Sequence, residues 1–132
     1  MRTSIAKTDH YSIEIDAGKN RAYLSFAGFC KSTDEMPTFL DDVAKAAQQL
    51  KKGFTLLTNA TKLKTPSPEV SALHEKSQKI WIENGLLKTA EILPETATTQ
   101  IALNRYAKTT GMKKKAFSQE KEAEAWLDSH DE

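Results

Sequence analysis

The chain has 132 residues, 39% of them hydrophobic and 28% charged, with 19 Lys and Arg against 18 Asp and Glu. A chain of this size buries one continuous core without metal or disulfide staples, so a single domain over residues 1–132 is expected and a second full domain does not fit. The formal net charge of +1 provides no global field for a polyanion; nucleic acid is not an expected partner, and electrostatic recognition is left to local patches.

Cys30 is the only cysteine, which rules out an intrachain disulfide and a cysteine-rich zinc site; it reads as a packing residue in a reducing, cytoplasmic setting. Met1 to Lys7 has no apolar core of signal-peptide length, and no later stretch approaches the roughly 20 apolar residues of a spanning helix, so membrane insertion is not expected. His10, His74 and His130 are scattered without metal-ligand spacing. No metal or cofactor is therefore expected.

In chain order, Tyr11, Ile13 and Ile15 alternate with Ser12, Glu14 and Asp16 as in a half-buried strand. The turn residues Ala17-Gly18-Lys19-Asn20 and the alternation of Ala22, Leu24 and Phe26 make the first two strands an antiparallel hairpin. Ser32, Thr33 and Asp34 offer caps to a helix that takes in Phe39, Val43, Ala46, Ala47 and Leu50, with Pro37 in its first turn and Gly53 as its terminator. Phe54 to Thr58 reads as a strand buried on both faces.

Ser67 then caps a second helix with Pro68 at its first position, running to about Asn84 with Val70, Leu73, Ser77, Ile80 and Trp81 on its apolar stripe and Gly85 at its end. Thr89 to Leu93 is a strand broken by Pro94. A third helix runs through Ala97, Ile101, Ala102, Tyr106 and Ala107 to Gly111. Lys113 to Ser118 forms a short strand, and Ser118 caps a last helix with Ala123, Trp126 and Leu127 inward and Glu120, Glu122 and Glu124 toward water. The order ββαβαβαβα implies an α/β fold whose mixed, mostly parallel sheet is opened by an antiparallel hairpin.

This element order, the strand Phe54 to Thr58 leading to the helix at Ser67, and the closing Ala123-Glu124-Ala125-Trp126-Leu127 resemble the anti-sigma-factor-antagonist family, the STAS or SpoIIAA-like domain. The resemblance covers residues 10 to 128, and the ending looks most like the divergent branch grouped with Sec14-type domains. It implies a non-enzymatic, regulatory protein-interaction module with an anti-sigma kinase-like protein as partner. In signalling members a serine at the start of the second helix is phosphorylated; Ser67 occupies that place, between Pro66 and Pro68 where those members carry an acid and a small residue. Ser67 therefore reads first as an N-cap and second as a phosphorylation candidate. Partner binding is expected around Lys62, Lys64, Thr65, Ser67, Glu69, Val70 and Leu73.

The Sec14-like relatives imply an alternative, a domain enclosing a lipid or other small apolar ligand, with Ile80, Trp81, Leu86 and Leu87 as wall residues. A homodimer through an exposed first strand is a further alternative. His74 beside Glu75 reads as a surface or boundary histidine, because adjacent helical residues point about 100° apart. Arg105, Lys108 and Lys113 to Lys115 precede the acids Glu120, Glu122, Glu124, Asp128, Asp131 and Glu132; a solvated helix end neutralised by its neighbour explains them better than a nucleic-acid patch. No nucleophile elbow, Gly-rich phosphate loop or paired-carboxylate motif points to an enzyme.

Overall fold

The alternation from Tyr11 to Asp16 forms a strand whose apolar side faces the core, and the turn after it reverses the chain through Asn20 in the left-handed region at φ 55°. The computed structural model describes residues 2–29 and 32–129; Cys30, His130, Asp131 and Glu132 lie outside them. In chain order the elements are β1 (Thr3–Lys7), β2 (Tyr11–Asp16), β3 (Arg21–Gly28), α1 (Phe39–Gln48), β4 (Thr55–Leu63), α2 (Pro68–Glu83), β5 (Lys88–Ile92), α3 (Ala97–Thr110), β6 (Lys114–Phe117) and α4 (Glu120–Asp128). The six strands form one sheet in the order β1-β2-β3-β4-β5-β6, antiparallel from β1 to β3 and parallel from β3 to β6.

Three crossovers of one hand that each step to the next strand leave their helices on one face. Accordingly, Val43 of α1, Val70 and Trp81 of α2 and Tyr106 of α3 share a core with Ile13, Leu24 and Leu56. The last helix, α4, follows the final strand and crosses to the opposite face, where Ala123 and Leu127 pack on Tyr23, Leu57, Ala90 and Ile92. Trp81, Tyr106, Phe39 and Phe54 are the largest fully buried side chains. Each contributes roughly 1.5–3 kcal/mol on transfer from water.

The expected fold class is present, with several corrections. The sheet has an additional first strand: β1 pairs with β2 through Thr3↔Ile15 and Lys7↔Ser12, with a register shift between Ser4 and Ala6. That irregularity breaks the two-residue period on which strand recognition depends. The strand from Tyr11 is thus internal, and the edge that a dimer would use is β1. The Ser32 cap also belongs elsewhere: its side chain accepts from the Asp34 N–H of a short 3₁₀ turn, Thr33–Glu35, and α1 starts only at Phe39. Pro37 disfavours helical backbone at the preceding residue and separates the two.

Gly53 is not the terminator of α1, which ends at Gln48. It adopts φ 90° on the way into β4, and its N–H donates to the Gly85 carbonyl at 2.7 Å. Gly85 itself, at φ 101°, has no room for a side chain, because a Cβ there would sit 2.8 Å from the Lys52 backbone. At the far end, Gln119 occupies the N-cap position of α4, and Ser118 does not cap it. Ile101 remains 66% exposed on the outer side of α3, with Ala102, Leu103 and Tyr106 turned inward.

Candidate functional site

Parallel α/β sheets place ligands and partners at the carboxyl ends of their strands, where connecting loops leave the scaffold. Here that edge is built where β3 ends at Gly28 and β4 runs on to Leu63, five residues beyond the expected Thr58. The Lys64 N–H donates to the Gly28 carbonyl at 3.0 Å, and Phe29, the next residue, is 49% exposed. Lys62 and Lys64 are exposed, and neither has an ion pair among the described residues. Phe29 was missed in the sequence because one apolar residue outside an alternating run carries no periodic signal.

Ser67 begins α2 in extended conformation, with φ −65° and ψ 162°, and its Oγ accepts from the Val70 N–H at 3.3 Å. Pro68 follows at the first helical position, where its missing N–H costs nothing. The other expected partner-binding residues separate into two groups. Thr65 and Glu69 are engaged within the fold: the Thr65 hydroxyl meets that of buried Thr99 at 2.7 Å, and Glu69 Oε1 accepts from Thr33 Oγ1 at 2.7 Å and from the Thr33 N–H at 3.3 Å. Val70 and Leu73 are buried in the core, which corrects their placement on a docking surface. Their spacing on α2 matches its buried stripe.

On the face of the sheet that α4 covers only in part, a cleft of about 250 Å³ lies over the carboxyl half of β3. Register places Lys7, Ser12, Ser25 and Asn59 side by side across β1 to β4, and Lys62 and Thr61 close the cleft on the β4 side. No sequence motif marks this group, because its members come from four strands and meet only through pairing register.

The opposite face holds a much smaller space, about 20 Å³, between α2, α3 and the sheet, lined in part by Trp81, His74, Ser77 and Glu91. A volume of that size holds one water. Of the expected ligand-wall residues only Trp81 lines either of these two spaces: it packs edge-on against Phe54 with ring centroids 5.9 Å apart, Ile80 and Leu86 are partly buried at the core margin, and Leu87 is 51% exposed.

His74, expected at the surface, is 4% exposed and stacks on Tyr106 at 5.5 Å with Phe26 edge-on at 4.8 Å. Its position between Val70 and Ser77 on the helical repeat places it on the buried side of α2. Burial pushes its pKa down from 6.5 to about 4. As pH falls below 6.5, the unfolded chain takes up a proton that the folded chain refuses, so this contribution to stability is intact above 6.5 and lost progressively toward pH 4. Urea unfolding of the wild type should lose about 2 kcal/mol more between pH 8 and pH 5 than His74→Leu does. Parallel pH profiles would rule out the buried neutral imidazole as the cause.

Three of the charged side chains near the carboxyl terminus pair outside the two segments. Lys114 reaches buried Glu91 at 3.1 Å and Asn104 at 2.8 Å, whereas Glu124 pairs with Lys19 and Arg21 at 3.1 Å and Asp128 with Arg21 at 2.8 Å. Glu124 is therefore a docking contact of α4 and does not simply face water. Among the described residues no group of three or more His, Cys, Asp or Glu could hold a metal ion, and no helix is long and apolar enough to cross a membrane. No protein-family model matches the chain, and no curated protein or solved structure matches it significantly.

Proposed function

We propose that the protein is a regulatory protein-interaction module of the anti-sigma-antagonist kind, non-enzymatic, that docks a partner on the carboxyl edge of β3 and β4 and the start of α2. The observation that carries this reading is the exposed Phe29, next in the chain after the Gly28 carbonyl that the Lys64 N–H bonds, at the strand ends that also carry exposed Lys62 and Lys64. An exposed aromatic anchor next to unpaired cations suits a partner with an apolar pocket and an acidic rim. Ser67 stands a few residues further on, at the helix start that signalling members of the resembling family phosphorylate.

A phosphate on Ser67 would suit the positive end of α2 but would meet the neighbouring Glu69 carboxylate, while Pro68 offers no N–H to it. Docking without a phosphoswitch is therefore the form proposed. Quantitative capture from source cells with the wild type, Phe29→Ala, Lys64→Glu, Ser67→Ala, Ser67→Asp and the remote control Ile101→Ala tests it. A protein retained by Ile101→Ala but reduced about tenfold or more by Phe29→Ala and Lys64→Glu supports the reading. Ser67→Ala should retain it while lowering stability by about 1 kcal/mol through loss of the cap. Recovery that ignores both edge substitutions sinks the proposal, and loss confined to Ser67→Asp would restore the phosphoswitch.

A further inference from the structure

We propose that the cleft over β1 to β4 is a binding site for a small molecule carrying an oxyanion, a phosphate or phosphate ester. It lies on the side of the sheet opposite α1 to α3 and shares Lys62 with the docking edge, but it is read by phosphate binding and not by partner capture.

The argument begins with a bulge. Ser25 pairs with Asn59 and Ala27 with Lys62, so two steps along β3 match three along β4, and the extra residue falls at Ala60–Thr61. Thr55, Leu57 and Asn59 share the α4 side of β4, and strict alternation would send Lys62 to the helical side. The bulge turns Lys62 into the cleft instead, the kind of re-aiming for which bulges are used near binding sites.

The same bulge fixes the Asn59 amide. Its Oδ1 accepts from the Thr61 N–H at 3.1 Å and from Thr61 Oγ1 at 2.7 Å. The acceptor end is thereby occupied, and the two N–H groups of Nδ2 remain as donors. Beside them in register stand the hydroxyls of Ser25 and Ser12 and then Lys7, none with a side-chain partner among the described residues. Lys7 and Lys62 bracket the row from its two sides, and no carboxylate lines the cleft. The nearest acid on the same side of β2, Glu14, is paired with Arg2 at 3.5 Å.

Two ammonium groups, an amide and two hydroxyls, all able to donate, line one cleft, and nothing among the described residues accepts from them. Charge-assisted bonds to several oxygens of one anion satisfy such a set, whereas a neutral or cationic ligand does not. The cleft volume of about 250 Å³ lies just below the range of roughly 300–1,000 Å³ for drug-sized ligands, which suits a phosphate with a small organic body. The position, at the carboxyl ends of β3 and β4, is also where open α/β sheets bind ligands.

The test is a ¹⁵N–¹H correlation titration of the full chain at constant ionic strength with inorganic phosphate, glucose 6-phosphate and glucose. Saturable shifts confined to the amides of Ser12, Ser25, Asn59, Thr61 and Lys62, given by either phosphate and not by glucose, are expected. Tighter binding of the sugar phosphate would assign a phosphate ester, and equal binding the inorganic ion. Lys7→Gln with Lys62→Gln, and separately Asn59→Asp, should each weaken binding about tenfold or more. Asn59→Asp keeps an acceptor for Thr61, so the bulge is retained, while it replaces the two donors with a negative charge that repels an anion. Shifts that stay linear to tens of millimolar, spread over other lysines, survive both variants, or fail to appear with either phosphate would overturn the proposal.

Discussion

Lys114→Met should destabilise the protein by about 3 kcal/mol at pH 7.5 and by much less at pH 5, the reverse of ordinary acid sensitivity. Glu91 lies on β5 beneath α2 and α3, and the side chains of Glu91 and Lys114 are only 5% and 8% exposed. Burial raises the Glu91 pKa even in the wild type, with Lys114 opposing the rise by charge and hydrogen bond. Removing the ammonium leaves a carboxylate facing apolar neighbours and one small polar space. It then escapes by taking a proton, and the cost of doing so grows by about 1.4 kcal/mol for each pH step above the unfolded value.

The sign follows from that. A carboxyl whose folded pKa lies above its unfolded one contributes full stability below the unfolded pKa, near 4.5, and loses it as pH rises through the folded value. Urea unfolding of Lys114→Met and wild type at the two pH values measures the difference. The double variant Glu91→Gln with Lys114→Met should recover most of the loss at pH 7.5, because a neutral amide needs no counter-ion. An equal deficit at both pH values would mean that lost packing by the lysine stem, and not the stranded carboxylate, is responsible.

Glu91 and His74 also mark where sequence reading runs out. The strand Thr89 to Leu93 was legible from its composition and from Pro94, but periodicity cannot reveal that its one acid points inward toward a lysine 23 residues later. His74 sits at a buried repeat of α2, yet histidine is tolerated on either side of a helix, so the residue type outweighed its spacing. The α2 start, by contrast, was legible because Ser67, Pro68 and Glu69 carry local capping chemistry that does not depend on tertiary contacts. At the candidate sites the same division holds. Ser67 and Lys64 were named from sequence, whereas the row Lys7, Ser12, Ser25 and Asn59, and the turn of Lys62 toward it, exist only through pairing register and a bulge.

Arg21→Ala should lower stability by about 2–4 kcal/mol and release α4 first. Arg21 opens β3 on the side of the sheet opposite α1 to α3 and is 2% exposed. Its Nε donates to Thr55 Oγ1 at 2.9 Å, and its two terminal nitrogens reach Glu124 at 3.1 Å and Asp128 at 2.8 Å. One guanidinium therefore links two sheet strands to the middle and the last turn of α4. A second cation, Lys88, donates to the carbonyls of Trp126 and Ser129 at 2.9 and 3.0 Å, where the negative end of the helix dipole favours it.

A helix of nine residues is too short to persist unsupported in water. Its apolar attachment rests mainly on Ala123 and Leu127, with Trp126 only partly buried. Polar anchoring is thus a large share of what holds it, and removing Arg21 leaves Glu124 with Lys19 and the Tyr23 hydroxyl only. The lower end of the range applies if water reaches the vacated site, because the Asp128 side chain is already 54% exposed. Hydrogen exchange should show residues 120–129 losing protection before β3 and β4, and Arg21→Lys should restore part of it through charge without the three-way fork. Uniform loss across the sheet, with α4 no more labile than its neighbours, would instead make Arg21 a support of β3–β4 pairing through Thr55 and leave α4 held by its apolar contacts.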